Sequence, residues 1–164
     1  MVGSSSKRFN FPIETSYRGV SSSQKFLTKT AMNQLRTHLS FTQLRFFCRK
    51  QRTFHVTTAN SSTGEAVVQY FSGQTDTMPA SCGSFVKMDD DNSFLAGLCS
   101  SWGWEGTFYV GKWGHLMDQD RLYNPPAFVA YLYHFLITPG VTRWKCDDYN
   151  VGVSPGNFWK VFVR

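Results

Sequence analysis

The sequence predicts a mainly β protein: an antiparallel sandwich or barrel-like domain with one short helix, preceded by a basic N-terminal arm. Aromatic residues make up 16% of the 164 residues and charged residues only 17%, which favours a folded core over disorder. After residue 52, short stretches of alternating apolar and polar residues recur between turn-forming residues, as in β domains. The charge is also unevenly placed: up to His55 there are ten Lys and Arg against one acid, and from Val56 onward seven against ten.

The charge distribution predicts a domain boundary after residue 51. All five Trp residues lie beyond it, so residues 1–51 form a basic, Ser-rich arm and residues 52–164 an aromatic-rich β domain that we expect to fold without the arm. The arm is predicted to be disordered or partly helical, because some of its apolar residues recur at near-helical spacing. These are Phe26, Met32, Leu35, Leu39 and Leu44. An organelle transit peptide is an alternative interpretation of the same composition.

The first two strands of the domain are predicted from alternating apolar and polar residues. Thr53–Thr58 alternates, with Phe54 and Val56 on one face. Glu65–Phe71 also alternates and is predicted to be a strand, with the turn-rich segment Asn60–Gly64 as the connection of a hairpin.

The remaining elements are predicted from the same pattern. Ala127–Ile137 could begin as a helix after two prolines, but its Phe, Val and Tyr content favours a strand. A short helix is expected over Asn92–Ser100, capped by Asp91 or Asn92, with Phe94, Leu95 and Leu98 facing inward. The other predicted strands are Cys82–Met88, Thr107–Trp113, Thr142–Cys146 and Asn157–Arg164, the last with Trp159, Val161 and Val163 on one face. The longest apolar run, eleven residues, is too short to cross a bilayer.

The four cysteines, Cys48, Cys82, Cys99 and Cys146, are candidates for disulfides. They are widely spaced and lack a CxxC pair, which disfavours zinc. Together with the glycosylation sequon at Asn60 they favour an oxidising compartment over the cytosol, although four buried thiols are the alternative. Several pairings are open, and Cys82 to Cys99 is favoured slightly because its loop is short and turn-rich.

The domain resembles a module of secreted or matrix-associated proteins of cnidarians and other aquatic invertebrates. The resemblance spans about residues 52–164. It rests on "TGEAVVQYFSGQTDTMPASCGSFVKMDDDNSFLAGLCSSWG", then "GKWGH", "RLYN", "CDDY" and the closing "SPGNFWKVFVR". It implies an extracellular setting and no catalytic residues. The start of the chain departs from this pattern, since it lacks the apolar stretch of a secretory signal peptide.

An acidic run, Asp89-Asp90-Asp91, is the candidate metal site. Its carboxylates are ligands that Ca²⁺ accepts, and Asp147 or Asp148 would complete a site together with Asp89 and Asp91. The EF-hand template fails, so an acidic turn that caps the following helix is favoured over calcium, and no other cofactor is expected.

Two Trp-Gly segments are the candidate ligand-binding surface. Trp102, Trp104, Trp113 and His115 stand beside glycines, and exposed indoles stack on sugar rings or fill protein interfaces. Ordinary core packing is the alternative for these rings.

The sequence therefore predicts a non-enzymatic extracellular recognition, adhesion or matrix module whose partner is a protein or a glycan. No pattern of catalytic residues is present. A glycan-specific lectin is the first alternative. A protein whose basic arm directs it to an organelle or to nucleic acid is the second, although the domain itself is mildly acidic, which disfavours nucleic acid.

Overall fold

In the part of the chain that the structure describes, helices pack against a five-stranded antiparallel sheet. The computed structural model describes residues 9–11, 29–105, 108–114, 127–129, 134–136 and 158–164. Its elements in chain order are β1 (Phe9–Phe11), α1 (Lys29–Leu39), β2 (Leu44–Arg49), β3 (Thr53–Thr58), α2 (Ser62–Phe71), β4 (Phe85–Lys87), a 3₁₀ helix (Leu95–Ser101), β5 (Trp104–Glu105), β6 (Phe108–Tyr109), β7 (Ala127–Val129), β8 (His134–Leu136) and β9 (Phe158–Val163).

The main sheet has the order β1-β9-β2-β3-β4, with every neighbouring pair antiparallel. Among the described residues it does not close into a barrel. Strands β5 and β6 form a separate small hairpin, as do β7 and β8. The predicted antiparallel pairing of strands is thus confirmed, whereas this part of the chain forms no barrel.

One face of the main sheet carries the core. Every second residue of β2 and β3 points into the core. These residues include Leu44 and Phe46 on β2 and Phe54 and Val56 on β3, and all four are fully buried. Helix α2 packs against this face, with the rings of Phe71 and Phe46 5.3 Å apart at an edge-to-face angle. Apolar residues of α1 and two buried indoles complete the core.

The predicted strand Glu65–Phe71 is wrong, because these residues lie in α2. The side chain of Ser61 accepts a hydrogen bond from Gly64 N and caps the helix, so Asn60–Gly64 leads into a helix and not across a hairpin. The buried residues Gly64, Val67, Val68 and Phe71 recur at helical spacing. The expectation of a single short helix after residue 52 is therefore also wrong.

Other predicted elements are shorter or divided. Thr53–Thr58 is confirmed with its bounds, and Asn157–Arg164 contains β9. Cys82–Met88 and Thr107–Trp113 each contain a shorter strand. Ala127–Ile137 is not one strand, since β7 and β8 within it pair with each other, Ala127 opposite Leu136. Thr142–Cys146 lies outside the described residues.

The predicted helix over Asn92–Ser100 is a 3₁₀ helix that neither predicted residue caps. The N-cap residue is Phe94, whose side chain makes no capping hydrogen bond. Of the three residues expected inside, Leu95 is buried, whereas Phe94 and Leu98 are 48% and 39% exposed. The inward prediction is thus confirmed for Leu95 alone.

Strand β2 lies on the arm side of the predicted domain boundary. It is hydrogen-bonded along its length to β3 on one side and β9 on the other. Residues 44–49 therefore contribute a strand to the interior of the sheet.

Candidate functional site

The indoles of Trp102 and Trp113 lie in the core. Both are fully buried, and their rings meet edge to face with centroids 4.8 Å apart. Trp102 Nε1 donates to Leu95 O at 2.9 Å and Trp113 Nε1 donates to Ser84 Oγ at 2.7 Å. Because neither ring has an exposed face, neither can stack on a sugar, and core packing explains both residues. Their predicted role as ligand-binding residues is therefore wrong.

The other two candidate ligand-binding residues stay a prediction. Trp104 lies in β5, where its backbone pairs with Tyr109. His115 lies outside the described residues.

The acidic run is held by protein groups. The Asp91 side chain is fully buried and lies 3.3 Å from Lys87 Nζ. Its carboxylate accepts from His55 N at 2.7 Å and from the backbone N–H and hydroxyl of Ser93 at 3.1 and 3.0 Å. Asp90 is hydrogen-bonded to the His55 ring. These contacts offset the repulsion between neighbouring carboxylates.

The described residues do not bring three or more potential metal ligands together. Asp89 is exposed, and Asp91 is engaged by the bonds given above. Asp147 and Asp148 lie outside the described residues, so their part in a calcium site stays a prediction.

A disulfide joins Cys82 to Cys99, with their Cα atoms 5.2 Å apart, as predicted. Buried serines support it: Ser81 Oγ donates to Cys99 O, and Ser84 Oγ donates to Ser81 O, both at 2.6 Å. Since Ser84 Oγ also accepts from Trp113, the cross-link is connected to the core. Cys48 is a disulfide cysteine too, and Cys146 lies outside the described residues.

The sequon residue Asn60 is exposed. It lies immediately before Ser61, the N-cap of α2, at the surface end of that helix. An oligosaccharide on this side chain would extend into solvent without displacing core residues.

A basic turn, which we define as residues 49–52, connects β2 to β3. It places Arg49, Lys50 and Arg52 at one end of the sheet, with the Arg52 guanidinium 3.8 Å from the centroid of the Phe94 ring. In the sequence, three cationic residues within four positions indicate a local concentration of positive charge. The charge count alone places these cations in the arm, because it does not show that β2 pairs with β3.

Comparisons of the chain with protein-family models, with curated proteins and with solved structures find no match. The resemblance to a matrix-associated module stays a prediction. No helix in the described part of the chain combines the length and hydrophobicity needed to span a membrane.

Proposed function

We propose that this chain is a non-enzymatic extracellular module that acts in recognition, adhesion or matrix structure. The observation that carries the proposal is the disulfide between Cys82 and Cys99. Disulfides persist in secreted proteins and are rare in the reducing cytosol. The sandwich architecture common among such modules, with a second sheet facing the first, is part of the proposal.

The position of the disulfide supports a structural role in an oxidising compartment. It closes a loop with a sequence separation of 17 residues. In the chain-entropy description, a loop of this length contributes about 3 kcal/mol. The cross-linked segments also hold the serine that binds the Trp113 indole, so the bond stabilises one side of the core.

The exposed sequon supports the same compartment. Glycosylation of Asn-x-Ser/Thr occurs in the secretory pathway and places a bulky, hydrated group on the surface. Asn60 meets the requirement of exposure.

Localisation tests the proposed function directly. An antibody against the chain is used on medium, extracellular matrix and lysate of the cells that naturally produce it. We expect most of the protein in the medium or matrix, with a glycan on Asn60 that an amidase removes. Protein confined to the cytosol or an organelle would contradict the proposal and favour the transit-peptide interpretation.

A further inference from the structure

We propose that the basic turn and Phe94 form a binding site for sulfated polysaccharide. This inference rests on the proposed extracellular function and gives it a ligand class. It assigns recognition to cations at the end of the main sheet, and not to the buried Trp102 and Trp113.

The geometry of the turn concentrates positive charge. Lys50 N donates to Arg52 O at 3.0 Å, which closes a tight three-residue connection, and Arg49 is paired with Thr53 across it. The side chains of Arg49, Lys50 and Arg52 therefore start from backbone positions within a few ångströms of one another. Arg49 is exposed, and Lys50 and Arg52 are half-buried. A repeating row of sulfates can contact such a cluster at several points at once.

The ring of Phe94 fixes the position of one of these cations. The Arg52 guanidinium lies over the ring at 3.8 Å, and Phe94 remains 48% exposed. A guanidinium that contacts a ring through its face keeps its in-plane N–H donors for an anion. The exposed part of the ring offers an apolar surface to the carbon face of a sugar.

Hydrogen bonds hold Phe94 beside the turn. Thr53 N donates to Asn92 Oδ1 at 2.7 Å, and Asn92 N donates to Thr53 O at 3.0 Å. Residue 92 is thus fixed to the first residue of β3, two positions before the ring. These two hydrogen bonds hold the backbone near Phe94 in place before a ligand binds, which lowers the entropic cost of binding.

Two carboxylates of the acidic run, Asp90 and Asp91, are engaged by other groups. Asp91 is buried against Lys87 and Ser93, and Asp90 contacts the His55 ring. Asp89 is exposed on the same loop and moderates the local positive charge. The local charge at the turn itself is still positive and favours an anion, because residues 49–53 include no acid.

Sulfated polysaccharide is favoured over nucleic acid by the compartment that the disulfide indicates. Both ligands would bind the same cations with a strong salt dependence, so nucleic acid is retained as an outcome of the test.

Binding of the full chain to immobilised heparin, to chemically desulfated heparin and to single-stranded DNA of similar length tests the proposal. The variants are Arg49→Gln and Arg52→Gln. Arg164→Gln is the control, since it removes the same charge from an exposed residue at the far end of β9. Val163 there is roughly 17 Å along the strand from Phe158, the partner of Arg49.

We expect each turn variant to weaken heparin binding about threefold to tenfold and to lower the slope of log Kd against log salt by about one. The control should change the Kd less than about twofold. Arg52→Lys should fall between the wild type and Arg52→Gln, because it keeps the charge and loses the planar group. Circular dichroism confirms that each variant is folded.

Equal heparin binding by the wild type and both turn variants would overturn the proposal, as would an absence of heparin binding. Undiminished binding to desulfated heparin, or tighter binding to DNA, would overturn the assignment to sulfated polysaccharide. These outcomes are separate from the proposed function. A secreted, oxidised protein that fails to bind heparin contradicts only this inference, whereas a cytosolic, reduced protein contradicts the proposed function whatever it binds.

Discussion

Gly103 lies beside the buried indole of Trp102, where two backbone segments pass close to each other. A glycine beside a large ring is compatible with a ligand surface and with close packing of backbone. In the structure Gly103 has a φ of +73°, and a Cβ there would lie 2.5 Å from Lys112 O. The glycine is required because two backbone segments approach closely, and the neighbouring indole is buried. The sequence contains the same residues in either case, so it could not decide between them.

Gly64 gives a prediction about packing at the start of α2. A Cβ at this position would lie 1.9 Å from Ala59 O, so backbone must shift to admit alanine. We expect Gly64→Ala to destabilise the fold by about 1 to 3 kcal/mol, measured by denaturant unfolding. Gly97→Ala is the control, since nothing lies within 4 Å of its Cβ, and it should change stability by less than about 0.5 kcal/mol. Equal effects of the two variants would contradict this account of the helix start.

Asp91 gives a second prediction at this scale. Its buried carboxylate accepts from His55 N, Ser93 N and Ser93 Oγ and pairs with Lys87, so it joins β3 to the loop before the 3₁₀ helix. We expect Asp91→Ala to cost about 2 to 4 kcal/mol in thermal or chemical unfolding, because it leaves buried donors without an acceptor. Asp89→Ala should cost less than about 0.5 kcal/mol, since that residue is exposed. A loss of only a few tenths for Asp91→Ala would show that these bonds are not formed.

Among the elements, β3 could be predicted from its sequence and α2 could not. Thr53–Thr58 has a strict two-residue alternation, which only a strand fits. In Glu65–Phe71 the residues Ala66, Val68 and Tyr70 fit a strand pattern, whereas the adjacent buried residues Val67 and Val68 fit a helix. The cap at Ser61 is a local signal, but Ser, Asn and Gly in the same segment also suit a turn. Burial of one face of the helix against the core is a tertiary contact, which a short window of sequence does not show. The same limit applies to β2, which needs β3 and β9 as partners to form.

The position of β2 leads to a deletion test. Removing residues 1–47 deletes α1 and most of an interior strand, which exposes the core residues of β3 and β9. We expect the shortened chain to lose its cooperative thermal transition, because the sheet loses its central pairing. Removing residues 1–28 is the matched control, since it deletes only the edge strand β1 of the described elements, and a cooperative transition should remain. A cooperative transition after deletion of 1–47 would instead support the domain boundary drawn from charge and Trp content.

At the scale of the whole molecule, aromatic content predicts a folded core and alternating segments predict antiparallel strands. The short loop between Cys82 and Cys99 slightly favours the disulfide that the structure contains. These patterns do not predict that helices cover the sheet, since that depends on contacts between distant segments. The charge count over residues 1–55 also does not show that three of these cations lie in the turn between β2 and β3. Pairing of β2 with β3 places these cations together at one end of the sheet.

The redox state of the natural protein tests the central claim most directly. Protein isolated from the cells that produce it is alkylated before any reductant is added, digested and analysed by mass spectrometry. The extracellular account predicts a peptide in which Cys82 is linked to Cys99, with neither thiol alkylated. Recovery of both cysteines as alkylated free thiols would contradict it.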